Sequence, residues 1–417
     1  MITRRDHSTG DLFDRWHHLG ARRRAILDLS WAGEFRRSVL PHLALPELAL
    51  VFCRNNGRPG KDMIVAVGVL VLQQMHDLTD AATLEALAFN EQWHFALDAR
   101  VEDDFNLCDK TLRNWRNKMM AHGLDRVLFA RVTDLLAARH GTDASRQRLD
   151  STRVCSNMAK LGRLGLFART IEMFLRRLRK DHPNLLASVN AAIVDRHLGE
   201  SGPKGEKTGG GGGCFALSSR PSEAKRRLEE SAADLLRLVR QFAQTPAATA
   251  LKEYQLLARL LAEQCEIVPR QRDKDAEDGG GGSGGGDDDS ERVVVRDAKG
   301  LAGDVLQNPS DPDATYNGHK GQGYCAQIME TYDPGSSGPG LITHVSVGKM
   351  SDHDGRALAP ALADAATRGL LPGEVTADTH YGAQENLDDA AALGVTLIAP
   401  AQPPAGYKEG KLSLEQF

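Results

Sequence analysis

The sequence predicts an α/β domain that carries a large helical insert and is preceded by an all-α domain. Three observations predict it. Apolar residues in the first third recur at helical spacing. The stretch beyond residue 290 changes to short alternating strand and helix patterns. The region between them is rich in Ala, Leu, Glu and Arg at a helical period and is broken by glycine tracts. The boundaries follow these changes: 1–140 for the helical domain, 141–157 and 291–417 for the split α/β domain, and 158–290 for the insert.

In residues 1–55, Ile26, Leu27, Trp31, Phe35, Val39 and Leu40 recur at roughly helical spacing. Asn55-Asn56-Gly57-Arg58-Pro59-Gly60 reads as a loop by its turn chemistry. Met63 to Met75 is an apolar helix. Thr79 or Asp80 caps the next, which places Leu84, Leu87 and Ala88 on one face. Asp109 reads as the N-cap of a further helix with Leu112, Trp115 and Met119 as its apolar face. Lys110, Arg113, Arg116 and Lys118 fill much of the remainder. That pattern suits a helix-turn-helix reader of DNA, with the basic side chains at phosphates or base edges. A bundle helix with a solvated charged face stands as the alternative.

Residues 158–197 read as helical and contain the basic run Arg176-Arg177-Leu178-Arg179-Lys180. Residues 222–267 read as one long helix or a helical pair broken near Thr245-Pro246. The tracts Gly209 to Gly213 and Gly279 to Gly286 read as linkers, since no Lys-Ser or Lys-Thr pair follows either. Beyond residue 290, Tyr324 to Thr331 and Leu341 to Val347 are expected strands around Asp333-Pro334-Gly335-Ser336. Arg356 to Arg368 is an expected helix, Val375 to Thr379 a strand, Gln384 to Leu393 a helix, and Val395 to Ala399 a last strand.

Composition is ordinary for a globular protein, with 41% hydrophobic and 26% charged residues and a net charge of −4. The charge is unevenly spread. Residues 1–150 carry 21 basic and 20 acidic side chains, residues 151–270 carry 20 and 12, and residues 271–417 carry 11 and 24. A basic middle and an acidic end fit a DNA-gripping segment beside a cation-binding one. The six cysteines form no CxxC pair, which argues against zinc and for reduced thiols. No apolar run has the length of a membrane span and the first residues lack a signal-peptide pattern, so the expected location is cytoplasmic, with no membrane partner.

Two segments share a shape. Gln147-Arg148-Leu149-Asp150-Ser151-Thr152 and Val375-Thr376-Ala377-Asp378-Thr379 each place a carboxylate at or near a strand end, followed by hydroxyl residues. Neighbouring strands would bring both carboxylates to one point, because paired strands lie about 4.8 Å apart. Two convergent carboxylates repel unless a cation sits between them. Oxygen ligands suit Mg²⁺ or Mn²⁺, the ions of phosphoryl transfer. Taken alone, an aspartate after a strand is more often a turn former or cap.

The surrounding motifs carry a resemblance. Leu149-Asp150-Ser151-Thr152 is followed by Ser310-Asp311-Pro312-Asp313-Ala314-Thr315, then by Gly318-His319-Lys320-Gly321 leading into Gly323-Tyr324-Cys325-Ala326-Gln327-Ile328. Leu341-Ile342-Thr343-His344-Val345 and Ser351-Asp352 come next. Ala377-Asp378-Thr379-His380-Tyr381-Gly382 follows, with Glu385-Asn386 after it. In this order they resemble bacterial insertion-sequence transposases of the DDE class. Gly57-Arg58-Pro59 through Trp93-His94-Phe95 to Leu112-Arg113-Asn114-Trp115-Arg116 is similar to the InsH-like N-terminal domain of the same proteins.

The resemblance implies a ribonuclease H-like catalytic domain and makes Asp150 and Asp378 the first two acidic, metal-binding and catalytic residues. It implies Mg²⁺ or Mn²⁺ as cofactor. It also implies double-stranded DNA, both element ends and target, as partner, with assembly as a homo-oligomer on DNA. The expected activity is metal-dependent strand cleavage and transfer at element ends. The family's third acid, usually a Glu, lies on a helix well after the second aspartate. Only 39 residues follow Asp378 here. Glu385 comes too early, and Glu409 and Glu415 lie in a Gly/Lys-rich tail. The expectation is therefore a chain that stops before its third ligand. The alternative function is an incomplete transposase that binds element ends or inhibits the intact enzyme. Among the remaining candidates, Lys320 is a DNA-phosphate contact or a solvated loop lysine. Asp352, His353 and Asp354 read as caps of the helix that follows rather than as a metal cluster.

Overall fold

The computed structural model describes residues 7, 16–51, 61–156, 158, 160–198, 221–269, 291–333, 335 and 340–400. The predicted glycine tracts, Glu409 and Glu415 lie outside them. The chain divides into two compact units. The first comprises Met1–Asp150, Ile328–Val345 and Ala357–Phe417, and the second Ser151–Gln327 and Ser346–Arg356.

Among the described residues the first unit opens with the helices α1 (Ala21–Leu29), α2 (Trp31–Ser38), α3 (Pro46–Val51), α4 (Met63–Met75), α5 (Asp80–Phe89), α6 (Glu91–Ala96), α7 (Asp109–Ala121) and α8 (Leu124–His140). Helix α4 is apolar all round and accordingly buried, from Met63 to Val69 without a break. Asp62 caps it by accepting from the Ile64 and Val65 amides, and Thr79 caps α5 by accepting from Ala82 N. A Cβ on Gly68 would come within 2.4 Å of the Leu97 side chain, so a glycine lets the α6 end pack against α4. Trp93, Phe95, Leu112, Trp115 and Met119 complete one core with α4.

Strand β1 (Arg146–Cys155) follows α8. In the second unit come α9 (Arg163–Asp181), α10 (Pro183–Ala187), α11 (Ala191–Leu198), α12 (Pro221–Phe242), α13 (Pro246–Thr249) and α14 (Lys252–Gln264). Phe167, Ile171, Phe174, Leu175 and Leu178 form the buried stripe of α9, against Leu235, Leu238 and Phe242 of α12 and Leu257 and Leu260 of α14. The break at Thr245-Pro246 falls where the sequence places it. The end of the helical stretch does not. Helix α14 stops at Gln264, and Cys265–Pro269 is a strand, β2, paired antiparallel with β3 (Glu291–Val295). Ile267 and Val268 face Val293 and Arg292 in this ribbon, and β-branched residues of this kind favour the pleated backbone.

Strands β4 (Thr315–Asn317), β5 (Gly321–Thr331) and β6 (Ile342–Lys349) come next, then α15 (Leu358–Thr367), β7 (Glu374–Ala377), α16 (Gln384–Ala392) and β8 (Thr396–Ile398). Within the first unit the strand order is β6-β5-β1-β7-β8. β7 is parallel to both β1 and β8. β5 runs against β1: Tyr332 N donates to Arg146 O, and Arg148 pairs with Glu330. Within the second unit, β4 pairs antiparallel with the start of β5. Gly323 there has φ +150, and a Cβ on it would lie 2.2 Å from Val154 O, so only glycine fits beside β1.

The core of the first unit's sheet contains Leu149, Met329, Val375, Ala377 and Leu397, covered by Leu358, Ala361 and Leu362 of α15 and Ala390 of α16. The buried Gln147 amide donates to the Ala144 and Leu370 carbonyls and accepts from Thr343 Oγ1, so its burial leaves no polar group unmet. Arg368 at the end of α15 donates to Asp134 on α8 and to Thr343 O on β6. Among the described residues no helix is long and apolar enough to cross a membrane.

Candidate active site

β1 and β7 are paired from Arg146 opposite Glu374 to Leu149 opposite Ala377. Asp150 and Asp378 directly follow the last pair of this register. The alternation of the pleat explains why both are exposed. Leu149 and Ala377 turn into the core, so the next residue of each strand turns out of it. β7 ends at Ala377, two residues before the predicted end, because Asp378 leaves the strand to cap a 3₁₀ turn, Thr379–Tyr381. Its Oδ1 accepts from His380 N at 2.9 Å, and its Oδ2 lies 3.3 Å from His380 Nδ1.

The turn itself is held from below. Tyr381 is fully buried, and its carbonyl accepts from the Asn386 amide of α16. A Cβ on Gly382 would lie 2.2 Å from Pro400 O, so the chain passes close to the residues after β8 at that point. These contacts fix the backbone that presents Asp378. The two carboxylates are hard oxygen donors at the adjoining ends of paired segments, a donor type that suits a hard divalent cation. Among the described residues no group of three or more His, Cys, Asp and Glu is placed to hold a metal ion.

The second unit holds a different polar cluster, which the sequence reading missed. Asp354, read as a helix cap, is buried, and side chains rather than a helix end occupy its carboxylate. Lys320 Nζ donates at 2.7 Å, Ser151 Oγ at 3.0 Å, Gln327 Nε2 at 3.1 Å and Cys325 Sγ at 3.3 Å. Burial works to raise the Asp354 carboxyl, but these donors outweigh it and hold it below the usual carboxylate range. Burial likewise works to lower Lys320, and the bond to Asp354 outweighs it and keeps the ammonium protonated. Burial, then the bond to Asp354, pushes the Cys325 thiol up. Helix α15 begins only at Leu358, after a 3₁₀ turn from Asp354 to Ala357. Asp352 accepts from the upstream Lys349 N at 3.2 Å, a turn contact that caps no helix, whereas His353 Nδ1 lies 3.2 Å from Gly355 N at the start of the 3₁₀ turn. Lys320, predicted as a DNA contact, thus sits in an ion pair with its side chain 30% exposed.

The other predicted DNA contacts lie on α7. That helix starts at Asp109, with Cys108 as the N-cap, and Asp109 pairs with Arg113 at 2.6 Å instead of capping. Lys110 and Arg113 are exposed. Arg116 is half-buried, with Nη2 donating to Asp80 and to Gln73 Oε1. The Arg116 bond, then that from Gln73, holds Asp80 below the usual carboxylate range.

Residues 29–118, which span most of these helices, match the family model described as a transposase domain (DUF772). That match supports an insertion-sequence transposase family. A curated protein, the uncharacterized protein ORF8 in the nfe locus of Rhizobium meliloti, is 26% identical over 145 residues, covering 34% of this chain and 70% of that protein. No solved structure matches the chain.

Proposed function

We propose that this chain is a DDE-class DNA transposase whose helical region binds element ends and whose α/β region cleaves and joins DNA strands. The observation that supports the proposal is the parallel pairing of β1 and β7 up to Leu149 and Ala377, the residues just before Asp150 and Asp378, downstream of a transposase-domain match. The strand order β6-β5-β1-β7-β8, with β5 antiparallel to β1 and with β7 and β8 parallel to it, supports a ribonuclease H-like reading of the sheet.

Asp150 and Asp378 are the residues that would hold Mg²⁺ or Mn²⁺. Bound there, the ions would supply charge neutralisation at the scissile phosphate and a lowered pKa for the attacking hydroxyl. The protein's share is placement. The His380 amide and the buried Tyr381 fix the direction of the Asp378 carboxylate, and the pairing of β1 with β7 fixes its separation from Asp150.

The test incubates the protein with duplex DNA flanking its own gene, with Mg²⁺, Mn²⁺ or a chelator present. The expected result is strand cleavage at a fixed position, dependent on the ion and absent in Asp150→Asn and Asp378→Asn. Cleavage that survives both substitutions overturns the site. DNA that is bound but never cut overturns the catalytic part and leaves a protein that binds element ends.

A further inference from the structure

The packing of α7 divides its polar residues into two sets with different duties. Leu112, Trp115 and Met119 point into the helical core. Arg116 flanks them and is held by Asp80 and Gln73, so its guanidinium braces α7 against α4 and α5. The opposite face presents Lys110, Arg113, Asn114 and Asn117, all exposed. Among the described residues neither asparagine amide has a hydrogen-bond partner.

We infer that this face enters the major groove of double-stranded DNA, and that Asn114 and Asn117 read base edges while Lys110 and Arg113 bind phosphates. The inference rests on the transposase reading above. A primary amide carries a donor and an acceptor side by side, the pattern that matches adenine N7 and N6 in the major groove. The two asparagines are three residues apart, about 4.5 Å along the helix. That is near the roughly 3.4 Å spacing of successive bases on a strand, so they address neighbouring base pairs. Lys110 and Arg113 provide the charge complementarity. Arg113 pairs with the exposed Asp109 one turn back, a surface pair that solvent and salt weaken and that yields to a phosphate. The sequence pattern had grouped Arg116 with the DNA contacts, and the packing gives it a structural duty instead.

The experiment measures affinity of the full chain for its own flanking DNA and for a scrambled duplex across a salt series. The four substitutions of the exposed face, at Lys110, Arg113, Asn114 and Asn117, are on the surface, and circular dichroism verifies each fold. Asn114→Ala and Asn117→Ala should each lower the ratio of specific to scrambled affinity by about tenfold and leave the salt slope unchanged. Lys110→Ala and Arg113→Ala should weaken both duplexes alike and reduce the slope by about one each. Arg116→Met should lower the melting temperature and keep the ratio. An unchanged ratio in both asparagine variants overturns the inference while the transposase reading stands. A wild-type protein with no preference for its flanking DNA sinks that reading and this inference together.

Discussion

Leu149 and Ala377 form the last pair in the shared register of β1 and β7, and Asp150 and Asp378 are the residues that follow them. Under the proposed function these are the two carboxylates that would share a divalent ion, since convergent carboxylates need a cation between them. Their hydrophobic neighbours set the geometry. Leu149 and Ala377 are buried, so a slip of either strand by one residue would turn its aspartate toward the core and its core side chains outward.

Asparagine at position 378 separates charge from architecture. The Asp378 side chain caps the turn to His380 N, and an asparagine oxygen serves equally well as a cap. Asp378→Asn should therefore fold with a melting temperature close to wild type and bind flanking DNA normally. Its divalent-ion-dependent cleavage should fall by at least ~100-fold, the scale of removing one charge-stabilising group from such a site. Isothermal titration with Mn²⁺ should show weakened binding in the same variant. Wild-type Mn²⁺ affinity in Asp378→Asn would falsify the assignment of this carboxylate.

Gly382 makes the turn's backbone testable without touching a charge. An added Cβ meets Pro400 O at 2.2 Å and Pro400 C at 3.2 Å, and neither atom can swing aside as a side chain would. Gly382→Ala should cost about 1–3 kcal/mol in chemical denaturation, as overpacking does elsewhere. Because the displaced backbone includes the Asp378 cap, cleavage should fall further than the stability loss explains. Gly394→Ala, with nothing within 4 Å of its added Cβ, is the control for a glycine change without a collision, although its φ of +74 brings a modest strain of its own.

What the sequence disclosed depended on how local the determining contacts are. Helix α4 was readable to the residue because Met63 to Leu72 runs without a polar side chain and ends in Gln73, Gln74 and Met75; its cap, Asp62, emerged from the structure. β5, β6, β7, α16 and β8 were readable within a few residues, as their patterns are self-contained. The β2–β3 ribbon was not. Leu256, Leu257, Leu260 and Leu261 carry a helical rhythm up to Cys265, and the partner strand lies beyond a glycine tract. Asp150 and Asp378 were linked in the sequence by their like strand-end motifs, but the β1–β7 register that leads up to them is a property of two strands far apart in sequence. The Asp354 cluster was hidden for the same reason. Cys325 and Gln327 share a face of β5 by the two-residue period, yet Ser151, Lys320 and Asp354 reach them only through the fold. Arg116 looked like its basic neighbours on α7 until Asp80 and Gln73 were seen to hold it.

Lys320 and Asp354 form a pair in which one partner is much better hidden than the other, with side chains 30% and 8% exposed. Lys320→Met removes the strongest donor and leaves a buried carboxylate with neutral donors alone. A loss of about 3 kcal/mol in urea unfolding is expected, at the lower end for a broken buried pair because the lysine is partly exposed. Asp354→Asn in the Lys320→Met background should recover part of that loss, since the amide needs no counter-charge. Strictly additive effects in this double-mutant cycle would mean that the two side chains do not interact.

His7 lies in the first unit between two carboxylates, with Nε2 at 3.2 Å from Asp62 and Nδ1 at 3.0 Å from Asp98. Arg36 and Arg100 also donate to Asp98, so two carboxylates and two guanidinium groups face the ring's surroundings. Burial works to lower the imidazole, and the bonds to Asp62 and Asp98 outweigh it, raising its pKa from 6.5 to about 9. A raised folded-state value means that folding takes up a proton. The stabilisation is therefore complete below the unfolded value and fades as pH rises through about 9. Its size is about 3 kcal/mol by the usual conversion of a pKa difference. His7→Gln keeps a hydrogen-bonding side chain without the charge. Its melting temperature should lie several degrees below wild type near about pH 6, and the two should converge near about pH 10. A gap that stays constant across that range would show that packing, not the protonated ring, secures this contact.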